Sequence, residues 1–139
     1  MLDMGKTNSA DTVPSPCGGL FLRTIAMPGD ANPAGDVFGG WLLSQMDLAG
    51  GSCAAQRARG RTATIAIDAM KFHLPVLIGD EVSCYVEILK IGRTSISVMV
   101  EAWARRSRNS ELLKVTEGRF TFVAIDDNRN PRPVDSEPA

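Results

Sequence analysis

One stretch of the chain holds three kinds of group that could do chemistry together. It reads DANPAGDVFGGWLLSQMD over residues 30–47, and it carries an amide side chain at Asn32, a glycine pair at Gly39 and Gly40, and a carboxylate at Asp47. Leu43, Met46, Gly50, Cys53 and Ala54 recur at three- and four-residue steps, which predicts one apolar helix face, and Asp47 falls among them. A carboxylate there points where a core side chain is expected. An ionised group buried without a partner is costly, so Asp47 must be paired, hydrogen-bonded or lining a pocket. Gly39 and Gly40 precede it by eight and seven residues, about two helical turns back on roughly the same side. In a first turn their N–H groups have no intrahelical acceptor and no side chain shields them, which suits an anion or a developing oxyanion.

The element that must position these groups is a helix within residues 35–60. Asp36 or Phe38 opens it, and Gly60 stands where a left-handed cap would close it. Gly50 and Gly51 lie mid-helix, where each costs about 1 kcal/mol relative to Ala, so a closely approaching sheet is expected there. Asp47 is the one charged residue between Asp36 and Arg57, as befits a helix buried on most sides. Residues 20–26 read as a first strand and residues 30–36 as a loop with a prescribed path into the helix. After the helix the period changes to two. Residues 62–72 predict a strand with Ile65, Ile67 and Ala69 on one face and Thr64, Ala66, Asp68 and Met70 on the other. Leu74 and Pro75 break it. A hairpin follows, with Val82, Cys84, Val86 and Ile88 on one arm, a turn at Ile91, Gly92 and Arg93, and Ile96, Val98, Val100 and Ala102 on the other. The last strand covers residues 112–125. One amphipathic helix and five strands predict an α+β fold in which an antiparallel five-stranded sheet curls around the helix.

At 139 residues one domain is expected, and its 15 basic and 16 acidic residues argue against general nucleic-acid or anionic-membrane binding. No apolar run approaches the roughly 20 residues that span a bilayer, and residues 1–19 lack the apolar centre of a signal peptide, so a soluble cytoplasmic protein is expected. Three cysteines at unrelated spacings and a single histidine indicate neither disulfides nor a metal site. Composition divides the chain into a polar arm at residues 1–19, a domain at 20–127 and a polar tail at 128–139.

That topology, with the residue 30–47 stretch, FHLPVLIGD and GRTSISV, resembles the hotdog-fold acyl-CoA thioesterases, and within them the YciA-type broad-specificity enzymes related to brain acyl-CoA hydrolase. The resemblance implies a hotdog fold and hydrolysis of acyl-CoA to free CoA and a carboxylic acid. It makes Asp47 the catalytic carboxylate, Asn32 a residue supplied by the partner subunit, and Gly39 and Gly40 the donors facing the thioester carbonyl. It also implies a homodimer with the site at its interface, often assembled as a hexamer, with no cofactor beyond the CoA of the substrate. Some relatives place a hydroxyl one turn after the carboxylate; here that position is Gly51, with Ser52 beside it. Asp36 suits a dipole or capping role at the helix entrance.

Asp47 could act as general base on water or as a nucleophile that gives a mixed anhydride, and sequence does not choose between them. For the CoA phosphates, Arg93, Thr94 and Ser95 at the hairpin turn are preferred to the run Arg105, Arg106 and Arg108, which reads as a solvated turn. Each group also has a plain structural reading. Asp47 could be satisfied by backbone donors, Asn32 could be a turn residue and the glycine pair could serve packing. Their joint place in the motif favours catalysis, with a non-catalytic acyl-CoA-binding module as the alternative.

Overall fold

The computed structural model describes residues 15–136. Five strands, β1 (Gly19–Ile25), β2 (Thr62–Phe72), β3 (Glu81–Ile91), β4 (Ser95–Arg105) and β5 (Leu112–Ala124), form one sheet in the order β1-β3-β4-β5-β2. Every neighbouring pair is antiparallel. The single long helix, α1 (Gly39–Ala58), lies across the concave face of that sheet. Val82, Cys84 and Val86 of β3, Ile96, Val98, Val100, Ala102 and Ala104 of β4, and Phe120, Phe122 and Ala124 of β5 bury their side chains against Leu42, Met46, Ala49, Cys53 and Ala54. The alternation in the sequence is thus the period of one sheet face turned to a helix. Cys53 and Cys84 act as small apolar groups in this core, and burial pushes the Cys84 thiol up to about 12.

Gly50 answers to the close approach that its mid-helix position predicts. A Cβ there would stand 3.1 Å from the Phe122 ring and 3.3 Å from Val100, whereas one at Gly51 would make only an ordinary 3.6 Å contact. Of the two helix openings read from the sequence one is realised, and at the other end the left-handed residue comes one position before the expected Gly60. Phe38, not Asp36, is the N-cap residue, and no side chain caps it. Asp36 instead bridges to Leu77. At the other end Arg59 takes the left-handed conformation (φ 54°), and the Gly60 N–H reaches back to the Ala55 carbonyl at 3.2 Å. Gly60 has another reason to lack a side chain, because a Cβ there would collide with the Arg132 guanidinium.

Arg132 lies in the segment that composition assigned to a polar tail. Residues 126–136 turn back onto the body, with Arg132 and Val134 buried. Arg132 donates to the Ala58 carbonyl at 2.8 Å, and the Val134 N–H donates to the Arg93 carbonyl at 2.9 Å. A cation at a helix C-terminus is favourable both as a donor and against the helix dipole. Of the N-terminal arm, residues 1–14 lie outside the described residues. Beyond them, the Cys17 N–H donates to Glu101 on the outer face of the sheet.

Candidate active site

The loop before the helix is built around Asn32. Its Oδ1 accepts the N–H groups of Ala34 (2.9 Å) and Asp36 (3.1 Å), while its backbone N–H and carbonyl bond Asp36 and Gly35. This closed turn uses the side-chain oxygen and leaves the Nδ2 hydrogens without an acceptor among the described residues. The Val37 N–H then donates to the Val76 carbonyl, and the Phe38 N–H to that of Asp30. The chain is thereby aimed into α1. The N–H groups of Gly39 and Gly40 donate to no described residue, and a Cβ on either would meet nothing within 4 Å. Two bare donors stand in open space at a helix N-terminus.

Asp47 sits at the edge of the buried stripe, half-exposed, and faces β2. Its Oδ1 accepts the Thr64 hydroxyl at 2.7 Å. Between α1 and the start of β2 lies a groove of about 390 Å³ lined by Asp47, Gly51, Ser52, Ala55, Arg61, Thr62, Thr64 and others. The carboxylate is therefore both hydrogen-bonded and lining a cavity. Thr64 is the residue that sequence reasoning missed. Strict alternation placed it with Asp68 and Met70, but the register of β2 against β5 shifts between Thr64 and Ala66 and again between Asp68 and Lys71. Thr64 pairs with Phe122 and Ile67 with Phe120, both helix-facing, while Asp68 pairs with Arg119 on the outer face and forms a bidentate ion pair there. The second shift leaves Ala69 at φ 53° and lays Met70 into the space left by Gly118. The hydroxyl bonded to Asp47 thus comes from the neighbouring strand, while Ser52 of the helix lines the same groove.

Arg93, Thr94 and Ser95 are not brought to this groove; their carbonyls accept from Val134, Ala124 and Gly92 respectively. Arg61 lines it instead. Nor is the arginine run a uniformly solvated turn. Arg106 is 14% exposed and pairs with Asp80, itself 2% exposed, while its Nη2 donates to the Pro75 carbonyl at 3.1 Å. Asp80 also accepts the Leu77 N–H at 2.9 Å. His73 stands just past the end of β2, 3.3 Å from Glu117, away from the groove. Among the described residues no group of three or more His, Cys, Asp or Glu side chains could hold a metal ion, and no helix is long and apolar enough to cross a membrane.

The family model of the Thioesterase superfamily matches residues 34–111, which includes the glycine pair, Asp47 and Thr64. The chain belongs to that superfamily. Its sheet wrapped around one helix is the hotdog fold expected from the sequence. Among thioesterase-superfamily proteins it is similar to the acyl-CoA thioester hydrolase YciA of Salmonella typhimurium, 45% identical over 123 residues that span 86% of this chain and 92% of YciA. The crystal structure of y2039, a hexameric thioesterase from Yersinia pestis, matches with a TM-score of 0.85 at 45% identity, covering 88% of this chain and 100% of that one. HI0827, a hexameric broad specificity acyl-coenzyme A thioesterase solved as an Asp-to-Ala mutant, matches with a TM-score of 0.83 at 45% identity over 86% of this chain and 88% of its own.

Proposed function

We propose that this chain is an acyl-CoA thioesterase that hydrolyses acyl-CoA to free CoA and a carboxylic acid, with Asp47 as general base or nucleophile. The observation that carries the reading is Asp47 held by Thr64 in an open groove, on a fold and sequence similar to those of acyl-CoA thioester hydrolases. Water supplies the oxygen that joins the acyl carbon, the carbon–sulfur bond breaks, and sulfur leaves as thiolate. A thiol with an ordinary pKa of about 8.5 leaves without a strong acid, so the reaction needs no histidine and no cofactor. Asp47 either takes the proton of the attacking water or attacks first and is released by water from a mixed anhydride.

If the glycine amides and Asp47 serve one thioester, helix geometry favours a second copy of the chain. Eight residues separate Gly39 from Asp47, about 12 Å along the axis. Oxyanion donors act at about 3 Å from the oxygen, and the attacking atom stands about 3 Å from the same carbonyl carbon. One chain's glycine amides and its own carboxylate therefore cannot serve one thioester. The site we propose joins Asp47 and Thr64 of one subunit to the partner subunit's Asn32, Gly39 and Gly40, with the Asn32 amide hydrogens and glycine N–H groups directed at the carbonyl oxygen or the water. An interface is at hand. The outer edge of β2 is unpaired and carries exposed Ile65 (58%) and Phe72 (60%), an apolar edge that a second copy would cover. We extend the reading to a homodimer assembled as a trimer of dimers, acting in the cytoplasm, with its catalytic groups within residues 20–127.

The test is CoA thiol release from acetyl-, butyryl-, hexanoyl- and palmitoyl-CoA. Turnover is expected for wild type, with a loss of a hundredfold or more in Asp47→Asn, about the size of a general-base contribution. Wild type that binds acyl-CoA without hydrolysing it would instead make the chain a binding module.

A further inference from the structure

Resting on the thioesterase reading above, we infer that the groove from Asp47 to Arg61 is the seat of the CoA arm, and that Arg61 reads the phosphates at its far end. The groove has a chemical order. Asp47 and Thr64 stand at one end, Gly51 and Ser52 follow, and Ala55, Thr62 and Arg61 stand at the other. From Asp47 to Ala55 the helix advances about 12 Å. A thioester of CoA has the same order, with a reacting carbonyl, then an extended arm bearing two amides, then a diphosphate. The hydroxyls of Ser52 and Thr62 can meet the amides, and a guanidinium meets phosphate through charge-assisted, bidentate hydrogen bonds.

Three observations assign the arm, and not the acyl chain, to this side of the carboxylate. An acyl chain laid here would cover Ser52, Thr62 and Arg61 without satisfying them, which is unfavourable. Apolar groups suited to it lie along β2 beyond Thr64, where Ile67 is paired to helix-facing Phe120 and Met70 packs against the core. Arg61 itself forms no salt bridge among the described residues, so its charge is available. Arg59 and Arg132 stand with Arg61 at the helix C-terminus. Arg132 donates to the Ala58 carbonyl, and Arg59 is exposed next to it. Two acids, Asp126 and Asp127, line the adjoining cavity with Arg61, and Asp126 Oδ1 is occupied by the N–H groups of Asn128 and Asn130 at 2.9 Å each. The preference for Arg93 drawn from the sequence is thereby replaced by Arg61.

The experiment compares butyryl-CoA with the butyryl thioester of N-acetylcysteamine, which lacks the phosphates, in wild type, Arg61→Gln and Arg93→Gln. Calorimetric binding of CoA and of pantetheine to the same proteins, with thermal melts confirming folding, gives a readout independent of turnover. We expect Arg61→Gln to lower the preference for CoA over pantetheine, and for butyryl-CoA over its truncated analogue in kcat/KM, by roughly tenfold. Raised salt should erode the wild-type preference. An unchanged preference in Arg61→Gln, or one that falls only in Arg93→Gln, would overturn the inference. Absence of hydrolysis with the Arg61-dependent CoA preference intact would reject the thioesterase reading while leaving the phosphate site standing.

Discussion

Asp47 owes its orientation to a hydroxyl seventeen residues further along the chain, on another element. The 2.7 Å bond from Thr64 removes rotational freedom from a half-exposed carboxylate and leaves its other oxygen free of that donor. Thr64→Val keeps the shape and removes the donor. Turnover of butyryl-CoA is expected to fall about tenfold through kcat, with KM little changed, and Thr64→Ser is expected to restore most of it. A valine variant as active as wild type, or a serine variant as poor as valine, would show that the hydroxyl does not position Asp47. Asn32 illustrates the complementary economy. Its oxygen is spent on closing the loop, so only its amide hydrogens remain for chemistry.

At the scale of elements, the site depends on how loops are tied to the sheet. The Asp80–Arg106 pair joins the segment after β2 to the β4–β5 turn. That segment in turn holds the helix entrance, through Val76 to Val37 and Leu77 to Asp36. A pair this buried carries a large cost when one member is removed, because the other charge is left without compensation. Arg106→Ala is expected to destabilise the fold by about 3–5 kcal/mol in urea unfolding, and the double change Asp80→Leu with Arg106→Met to recover much of that loss. A loss below about 1 kcal/mol for Arg106→Ala would mark the pair as effectively solvated. The same tie explains why the arginine run does not act as one patch: Arg106 turns inward while Arg108 stays exposed.

For the whole molecule, the spacing of one helix is the argument for a site shared between two chains. If each site combines Asp47 of one subunit with the partner subunit's Asn32, then Asp47→Ala and Asn32→Ala proteins, each impaired alone, must complement. A mixed dimer holds one site carrying both changes and one site carrying neither. Unfolding and refolding an equal mixture should therefore give about a quarter of wild-type turnover, from random pairing in two-fold dimers. Activity no higher than that of the separate variants would place the whole site within one chain and remove the reason for a second copy. Light scattering on the wild type, which should report a mass above that of one chain, checks the assembly independently.

The sequence by itself determined the architecture, because local periods carry it. A helical step over the stretch around Asp47 and alternation over the strands name the elements, and one helix with five strands leaves few ways to bury both apolar faces. It also singled out Asp47, Asn32, Gly39 and Gly40, since a carboxylate at a core step and bare glycines in a first turn are visible as departures from the pattern. The tertiary structure decided what those groups touch. A register shift in β2 turned Thr64 toward the helix, and no period of two could announce it, because a bulge is a mismatch between two strands and not a property of one. The fold also set Arg61, and not Arg93, along the groove, and turned Arg106 and Arg132 from expected surface charges into largely covered struts. An arginine's type is written in the sequence; its dielectric surroundings and its partners come from segments far away along the chain, and those are set only when the chain folds.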